Sequence, residues 1–138
     1  MVCLFRKNFH GLAVVAALAL LTTSPANADD RPAAREIDGL VASPENFRLI
    51  LENDQVRVLE YTLLPGKKDR LHTHPQRVTH IASGGKLRIG FPDGRHIDLD
   101  EKTGDTVWSG PASPHDTENI GATPVRILLV EVKKEAND

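Results

Sequence analysis

Short apolar segments separated by glycine and proline turns fill the chain from about residue 44 onward. Turn sequences such as Pro65-Gly66 and Pro92-Asp93-Gly94 interrupt these segments, and no stretch after Ala28 places apolar residues at helical spacing. Many short strands divided by such turns are typical of an all-β sandwich or barrel. The predicted strands are residues 47–52, 56–64, 78–83, 86–91, 96–100, 106–109 and 125–132.

The N-terminal segment differs from the rest of the chain. Basic Arg6 and Lys7 precede an apolar run from Leu12 to Leu21, and Ala26-Asn27-Ala28 follows it. This order predicts a signal peptide over residues 1–28, cleaved after Ala28, and hence a periplasmic or secreted protein. A buried helix or a membrane anchor is the alternative, although a span needs about 20 apolar residues. We expect residues 29–43 to form an exposed arm and residues 44–138 to form one domain.

Charge and cysteine content exclude several function classes. The chain has 17 Lys and Arg against 19 Asp and Glu, and no basic block lies after residue 28. Nucleic acid and anionic membrane are therefore poor candidate partners. The single cysteine, Cys3, lies in the predicted signal peptide, so the exported chain would have neither a disulfide nor a catalytic thiol.

Two segments have apolar residues on both faces, namely residues 56–64 and 125–132. A homodimer would cover the outer of these two faces. A second sheet within the same domain would explain the pattern equally well.

Three histidines form the candidate metal site. His72 and His74 lie two residues apart, so in an extended strand both side chains point to the same face. Neutral imidazole nitrogens bind divalent metals at about 2.0–2.1 Å, and His115, delivered by a different strand, is the candidate third ligand. A buried, purely structural histidine cluster is the alternative.

These motifs resemble those of the cupin superfamily over roughly residues 47–133. The first cupin motif is matched by Gly66, His72-Thr73-His74 and Gly85, and the second by Gly104, His115 and Asn119. The sequence departs from the first motif at Val78, which replaces the usual glutamate ligand, and from the second at Gly110 and Ala112. The resemblance implies a jelly-roll β-barrel in which His72, His74 and His115 are the metal ligands.

The lost glutamate leaves the role of His80 open. His80 lies two residues after Val78, so in an unbroken strand it would share the inward face and could replace the carboxylate or act as a catalytic acid or base. Alternatively, His80 is a core or pocket histidine that is hydrogen-bonded to a neighbour.

Three neutral ligands leave a bound divalent ion with its full +2 charge, which favours a small, anionic, chelating ligand. The resemblance to three-histidine cupin dioxygenases implies Fe(II), with Zn, Mn or Ni as other candidates. A dioxygenase acting on a small molecule is the leading hypothesis. The alternatives are a non-catalytic metal- or ligand-binding cupin, and a metal-dependent isomerase or lyase with His80 as its base.

Overall fold

The computed structural model describes residues 37–134, so the predicted signal peptide and residues 29–36 of the predicted arm lie outside the described residues. The described part of the chain is all-β apart from one short helix, as the sequence predicts. The elements are α1 (Gly39–Ala42), β1 (Phe47–Glu52), β2 (Val56–Leu63), β3 (His72–His74), β4 (Arg77–Ser83), β5 (Gly85–Gly90), β6 (His96–Glu101), β7 (Thr106–Ser109), β8 (Ala112–Asn119) and β9 (Val125–Val132).

The strands form two sheets. One has five strands in the order β1-β2-β9-β4-β7, and the other has four in the order β3-β8-β5-β6. All of these strand pairs are antiparallel. The predicted β class is thereby confirmed as two antiparallel sheets.

Alternation of side chains across the five-stranded sheet defines its inner face. In β2 and β9 the alternate residues that are buried also lie opposite each other, as in the pairs Leu59 with Leu129 and Leu63 with Val125. These side chains form the core together with residues of β1, β4 and β5. The buried apolar residues are Phe47, Leu59, Tyr61, Leu63, Ile81, Leu87, Val125, Ile127 and Leu129.

The region preceding the first strand differs from the expected exposed arm in its described part. The carboxylate of Asp38 caps the short helix α1 by accepting a hydrogen bond from the Leu40 N–H. Ser43 is fully buried, and its hydroxyl accepts a hydrogen bond from the Arg70 N–H. Residues 37–43 therefore pack onto the domain, because their polar groups are bonded to the loop before β3 and to β3 itself.

The outer face of the five-stranded sheet carries Val58, Val130, Val78 and Trp108 in one row across four strands. The Trp108 side chain is 60% exposed there, so it is not part of the core. The homodimer stays a prediction. Within residues 37–134, no helix has the length and apolar character needed to cross a membrane.

Candidate metal centre

Strand pairing brings the three predicted histidines together. β3 and β8 run antiparallel with His72 directly opposite His115, and His74 shares the inner face of β3 with His72. All three side chains are buried, and each offers one ring nitrogen such that the three atoms lie within 4.8 Å of one another. The predicted cluster of His72, His74 and His115 is therefore present.

Each histidine has its Nδ1 atom occupied by an oxygen acceptor. His72 Nδ1 lies 2.7 Å from the Arg70 carbonyl oxygen, and His115 Nδ1 lies 2.7 Å from the Ser113 carbonyl oxygen. A carbonyl oxygen only accepts, so in the neutral ring Nδ1 carries the hydrogen and Nε2 keeps a free lone pair. The backbone thus sets the tautomer of these two rings.

The third histidine is held by a carboxylate instead. His74 Nδ1 lies 2.8 Å from Glu131 Oε1, which again leaves Nε2 free. Glu131 is 2% exposed, and its other oxygen accepts hydrogen bonds from the Arg57 guanidinium. Arg57 also donates to Asp38 at 2.7 Å. A chain of charged groups therefore runs from the buried histidine cluster through Arg57 to the partly exposed Asp38 at the start of α1.

The electrostatics of the cluster favour neutral rings. Burial lowers the pKa of His72, His74 and His115, that of His74 to about 4, and the positive charge of Arg77 lowers all three further. Burial by itself raises the pKa of Glu131, but the hydrogen bonds from His74 and Arg57 outweigh it and hold that pKa low. At neutral pH the site therefore combines three uncharged imidazoles with an ionised carboxylate behind one of them.

This donor set fits a divalent metal ion. His72 Nε2 and His74 Nε2 lie 3.1 Å apart, and since both are acceptors no proton joins them. Two nitrogens bound to one ion at ~2.1 Å and separated by about 90–109° at that ion lie ~3.0–3.4 Å apart. The two lone pairs repel each other, and a cation bound between them would offset this repulsion because it attracts both.

A second buried carboxylate supports the loop that leads into β3. Asp69 accepts hydrogen bonds from the Tyr61 hydroxyl at 2.7 Å and from the Thr117 N–H at 2.6 Å. Burial raises the pKa of Asp69 to about 6, although both of these hydrogen bonds oppose the shift. Asp69 thereby ties β2, β8 and the loop together and sets the position of His72.

The histidine cluster opens into a cavity of about 330 Å³. One side, which we call the histidine wall, consists of His72, His74 and His115 with Glu131 behind them. Facing the same cavity is what we call the β4 wall, consisting of Arg77 and Thr79. The remaining lining is mostly apolar, with Glu101 as a further acidic group; it includes Leu87, Ile89, Phe91, Leu99, Ile127 and Leu129.

The predicted position of the missing ligand needs correction. Residues 77 and 79 of β4 face the cavity, whereas Val78 and His80 lie on the outer face, opposite Trp108 and Thr106 of β7. His80 Nδ1 lies 2.8 Å from the Thr106 hydroxyl oxygen. The inward orientation expected for His80 is therefore wrong, and the inward residues on either side of the usual glutamate position, Val78, are Arg77 and Thr79.

Sequence reasoning missed Glu131 as well. In β9 the residues Val125, Ile127 and Leu129 form the inner apolar face, and Glu131 continues that face at the next alternate position. A carboxylate at a predicted inward position was the available signal, because an ionised group is buried only with partners.

Comparisons with known proteins identify the fold. No protein-family model matches the sequence, and the search of curated proteins finds no match. Solved structures do match. A cupin domain from Bordetella pertussis Tohama I is 21% identical, with a TM-score of 0.59, and the match covers 64% of this chain and 92% of that one.

Two further structures agree. A double-stranded β-helix protein from Klebsiella pneumoniae is 23% identical, with a TM-score of 0.52 and coverage of 78% of this chain and 85% of that chain. The polyketide cyclase RemF from Streptomyces resistomycificus is 17% identical, with a TM-score of 0.50 and coverage of 70% of each chain. At these identities the likeness shows the fold alone. The chain thus has the cupin, or RmlC-like, double-stranded β-helix fold and carries a buried three-histidine cluster within it.

Proposed function

We propose that this protein is a metal-dependent enzyme that acts on a small anionic molecule, with dioxygenase chemistry at Fe(II) as the leading candidate. His72, His74 and His115 would hold the ion. The observation that supports this most is the arrangement of the rings: every Nδ1 has an oxygen acceptor, and the Nε2 atoms of His72 and His74 converge to 3.1 Å.

A bound Fe(II) would supply Lewis acidity and the capacity to activate O₂, whose two atoms both enter the product of a dioxygenase, so no external reductant is needed. The chain supplies the remainder. Backbone carbonyls and Glu131 fix the ligand rings, and the mostly apolar lining keeps water out. Three neutral ligands leave the ion with its +2 charge, which supports an anionic chelating substrate.

A second candidate rests on Glu101. This carboxyl group lines the cavity, and burial together with the nearby Asp105 raises its pKa. A carboxylate with a raised pKa is a stronger base than an ordinary one, and a metal-dependent isomerase, lyase or cyclase requires a positioned general base. In this version Glu101 takes the role that the sequence assigned to His80.

The first experiment measures metals in protein expressed from the full-length chain. Mass spectrometry should find near-stoichiometric iron in the wild type and none in His72→Ala/His74→Ala. His96→Ala is the matched control, since His96 is exposed on β6 and its loss should leave the metal in place.

Activity is then measured as O₂ uptake by the iron-loaded protein with diketone, thiol and catechol-type substrates. Uptake that disappears in the double variant supports the dioxygenase. An iron-loaded protein with no uptake on any of them removes the dioxygenase candidate. Tightly held zinc, together with substrate turnover that Glu101→Gln abolishes, selects the second candidate instead. Metal-free wild-type protein would contradict both.

A further inference from the structure

The β4 wall contains polar groups that the protein itself does not satisfy. Arg77 Nε and Thr79 Oγ1 are fully buried, and neither has a hydrogen-bond partner among the described residues. The remaining side-chain hydrogen bond of Arg77 is a long one, from Nη1 to the Gly110 carbonyl oxygen at 3.4 Å. Within residues 37–134, Arg77 has no carboxylate within salt-bridge distance.

The carboxylate nearest in strand register is already committed. Glu131 lies opposite Arg77 across β9 and β4, as it does opposite Arg57 across β9 and β2. Its Oε1 atom faces His74, and its Oε2 atom accepts from Arg57. Both oxygens of Glu131 are thus engaged by other side chains, and within residues 37–134 no hydrogen bond joins Glu131 to Arg77, although its charge still acts on the guanidinium.

Arg77 is half-buried, and burial of its charged group with Nε unpartnered among the described residues is costly, because ions in protein interiors are ordinarily paired and hydrogen-bonded. Here burial lowers the pKa of Arg77, yet the residue stays charged, since an arginine in a protein does not lose its proton. The guanidinium has five N–H donors in a planar fork that matches a carboxylate. A ligand in the cavity is the partner that would compensate this charge.

We infer that Arg77 is the anchor for the carboxylate of a small molecule whose apolar body lies against the apolar lining of the cavity. This inference rests on the proposed function only in that the same molecule would also reach the metal. The apolar surface comes from Leu87, Ile89, Phe91 and Leu99 on β5, the following turn and β6. A volume of about 330 Å³ is at the small end of ligand pockets, which run from ~300 to 1,000 Å³.

Glu101 is the one lining group that would oppose an anion in this cavity. Its pKa is raised by burial and by Asp105, so it takes up a proton more readily than an ordinary glutamate. Thr79 supplies a hydroxyl on the same strand face, two residues from Arg77, as a second donor to the carboxylate. The cavity thus offers one fixed positive charge and the hydroxyl of Thr79, unpartnered within the described part of the chain, beside an apolar surface.

The test uses phenylacetate as the probe and phenylacetamide as its uncharged analogue of the same shape. Binding is measured by calorimetry on metal-free protein, prepared by dialysis against EDTA, and again after metal is added. We expect metal-free wild type to bind phenylacetate at least tenfold more tightly than phenylacetamide. Arg77→Met should abolish that preference, Arg77→Lys should retain part of it, and the exposed control Arg48→Met should leave it unchanged.

Thermal unfolding of the same variants checks the structural explanation. Arg77→Met should melt at or above the wild-type temperature, because the substitution removes an unpaired buried charge while keeping an apolar chain of similar length. Equal affinity for phenylacetate in wild type and Arg77→Met would overturn the inference. So would an absence of phenylacetate binding at millimolar concentration, or a clear fall in the melting temperature of Arg77→Met.

The two proposals fail separately in this design. Selective binding of phenylacetate by metal-free protein supports the role of Arg77 even where the metal measurement contradicts the enzyme. Stoichiometric metal without any preference for the carboxylate supports the metal centre and contradicts the role of Arg77 as an anchor.

Discussion

The two walls of the cavity differ in how completely the protein satisfies their polar groups. On the histidine wall, each Nδ1 atom has an oxygen partner within 2.8 Å, and Glu131 behind it has both oxygens occupied. On the β4 wall, Arg77 Nε and Thr79 Oγ1 are buried and have no hydrogen-bond partner within residues 37–134. Both walls lie on the inner faces of the same small domain.

This difference separates two kinds of functional residue. A metal site has to hold its ligand rings in one orientation before the ion arrives. The protein therefore supplies a hydrogen-bond partner for the ring nitrogen of each histidine that does not face the ion. A site that binds an exchangeable ligand leaves donors free, and those donors reduce stability until the ligand binds. The histidine wall has the first property and the β4 wall has the second.

Glu131→Ala should have the largest effect, because it removes the carboxylate that satisfies His74 and Arg57 together. Loss of one partner of a buried ion pair lowers the free energy of unfolding by about 3–5 kcal/mol. Loss of the carboxylate that is hydrogen-bonded to a metal-binding histidine lowers metal affinity by ~10–100-fold. Urea unfolding and competition with a metal chelator measure the two losses.

Two matched variants sharpen this prediction. Glu131→Gln keeps the shape and one acceptor oxygen, so it should be less destabilised than Glu131→Ala. Glu60→Ala removes a carboxylate that, like Glu131, contacts two basic side chains, in this case Arg48 and Arg126, but does so on the surface. Its effect should be far smaller, since solvent screens exposed ion pairs. Equal losses for Glu131→Ala and Glu60→Ala would remove the distinction between the histidine wall and the surface.

The sequence predicts most of the strands because turn residues mark where each of them begins and ends. β1, β7 and β9 were predicted residue for residue, at 47–52, 106–109 and 125–132. β8 was missed because its inward residues His115, Thr117 and Asn119 are polar and because it contains Pro114. This strand is defined by its partners β3 and β5 rather than by apolar periodicity.

The candidate site divides in the same way. The His-x-His spacing fixes a shared face locally, so His72 and His74 could be predicted. His115 was the candidate third ligand from another strand, and the family resemblance implies the same residue. The partner of His74 lies 57 residues further along the chain, a pairing that no local pattern encodes. His80 was misplaced because Pro75 and Gln76 separate β3 from β4, so the strand's inward residues are 77 and 79 rather than 78 and 80.

Thr79→Val tests the β4 wall with a change of one hydroxyl for one methyl. Because Thr79 Oγ1 is buried without a partner among the described residues, its removal should stabilise the metal-free protein by about 1 kcal/mol. Thr73→Val is the matched control on β3. The Thr73 hydroxyl accepts from the Ile37 N–H at 2.9 Å, so the same substitution there should destabilise by about 1 kcal/mol. Opposite signs in chemical denaturation support the comparison, and equal signs contradict it.

Glu101→Gln should give the smallest change in the free energy of unfolding, and the pH dependence of that change identifies its cause. Burial and Asp105 raise the pKa of Glu101 above its ordinary value of 4.5, so the folded protein binds this proton more tightly than the unfolded chain does. The stability associated with that proton is complete below pH ~4.5 and is lost as the pH rises through the folded-state pKa.

Glutamine has no proton to lose. At pH 7 the variant should therefore be more stable than the wild type by about 0.5 kcal/mol, a small value because solvent screens a partly exposed group. Below pH 4.5 the difference should vanish. Denaturation at pH 7 and pH 4 measures both, and a gain at pH 7 that persists unchanged at pH 4 would attribute the effect to packing rather than to charge.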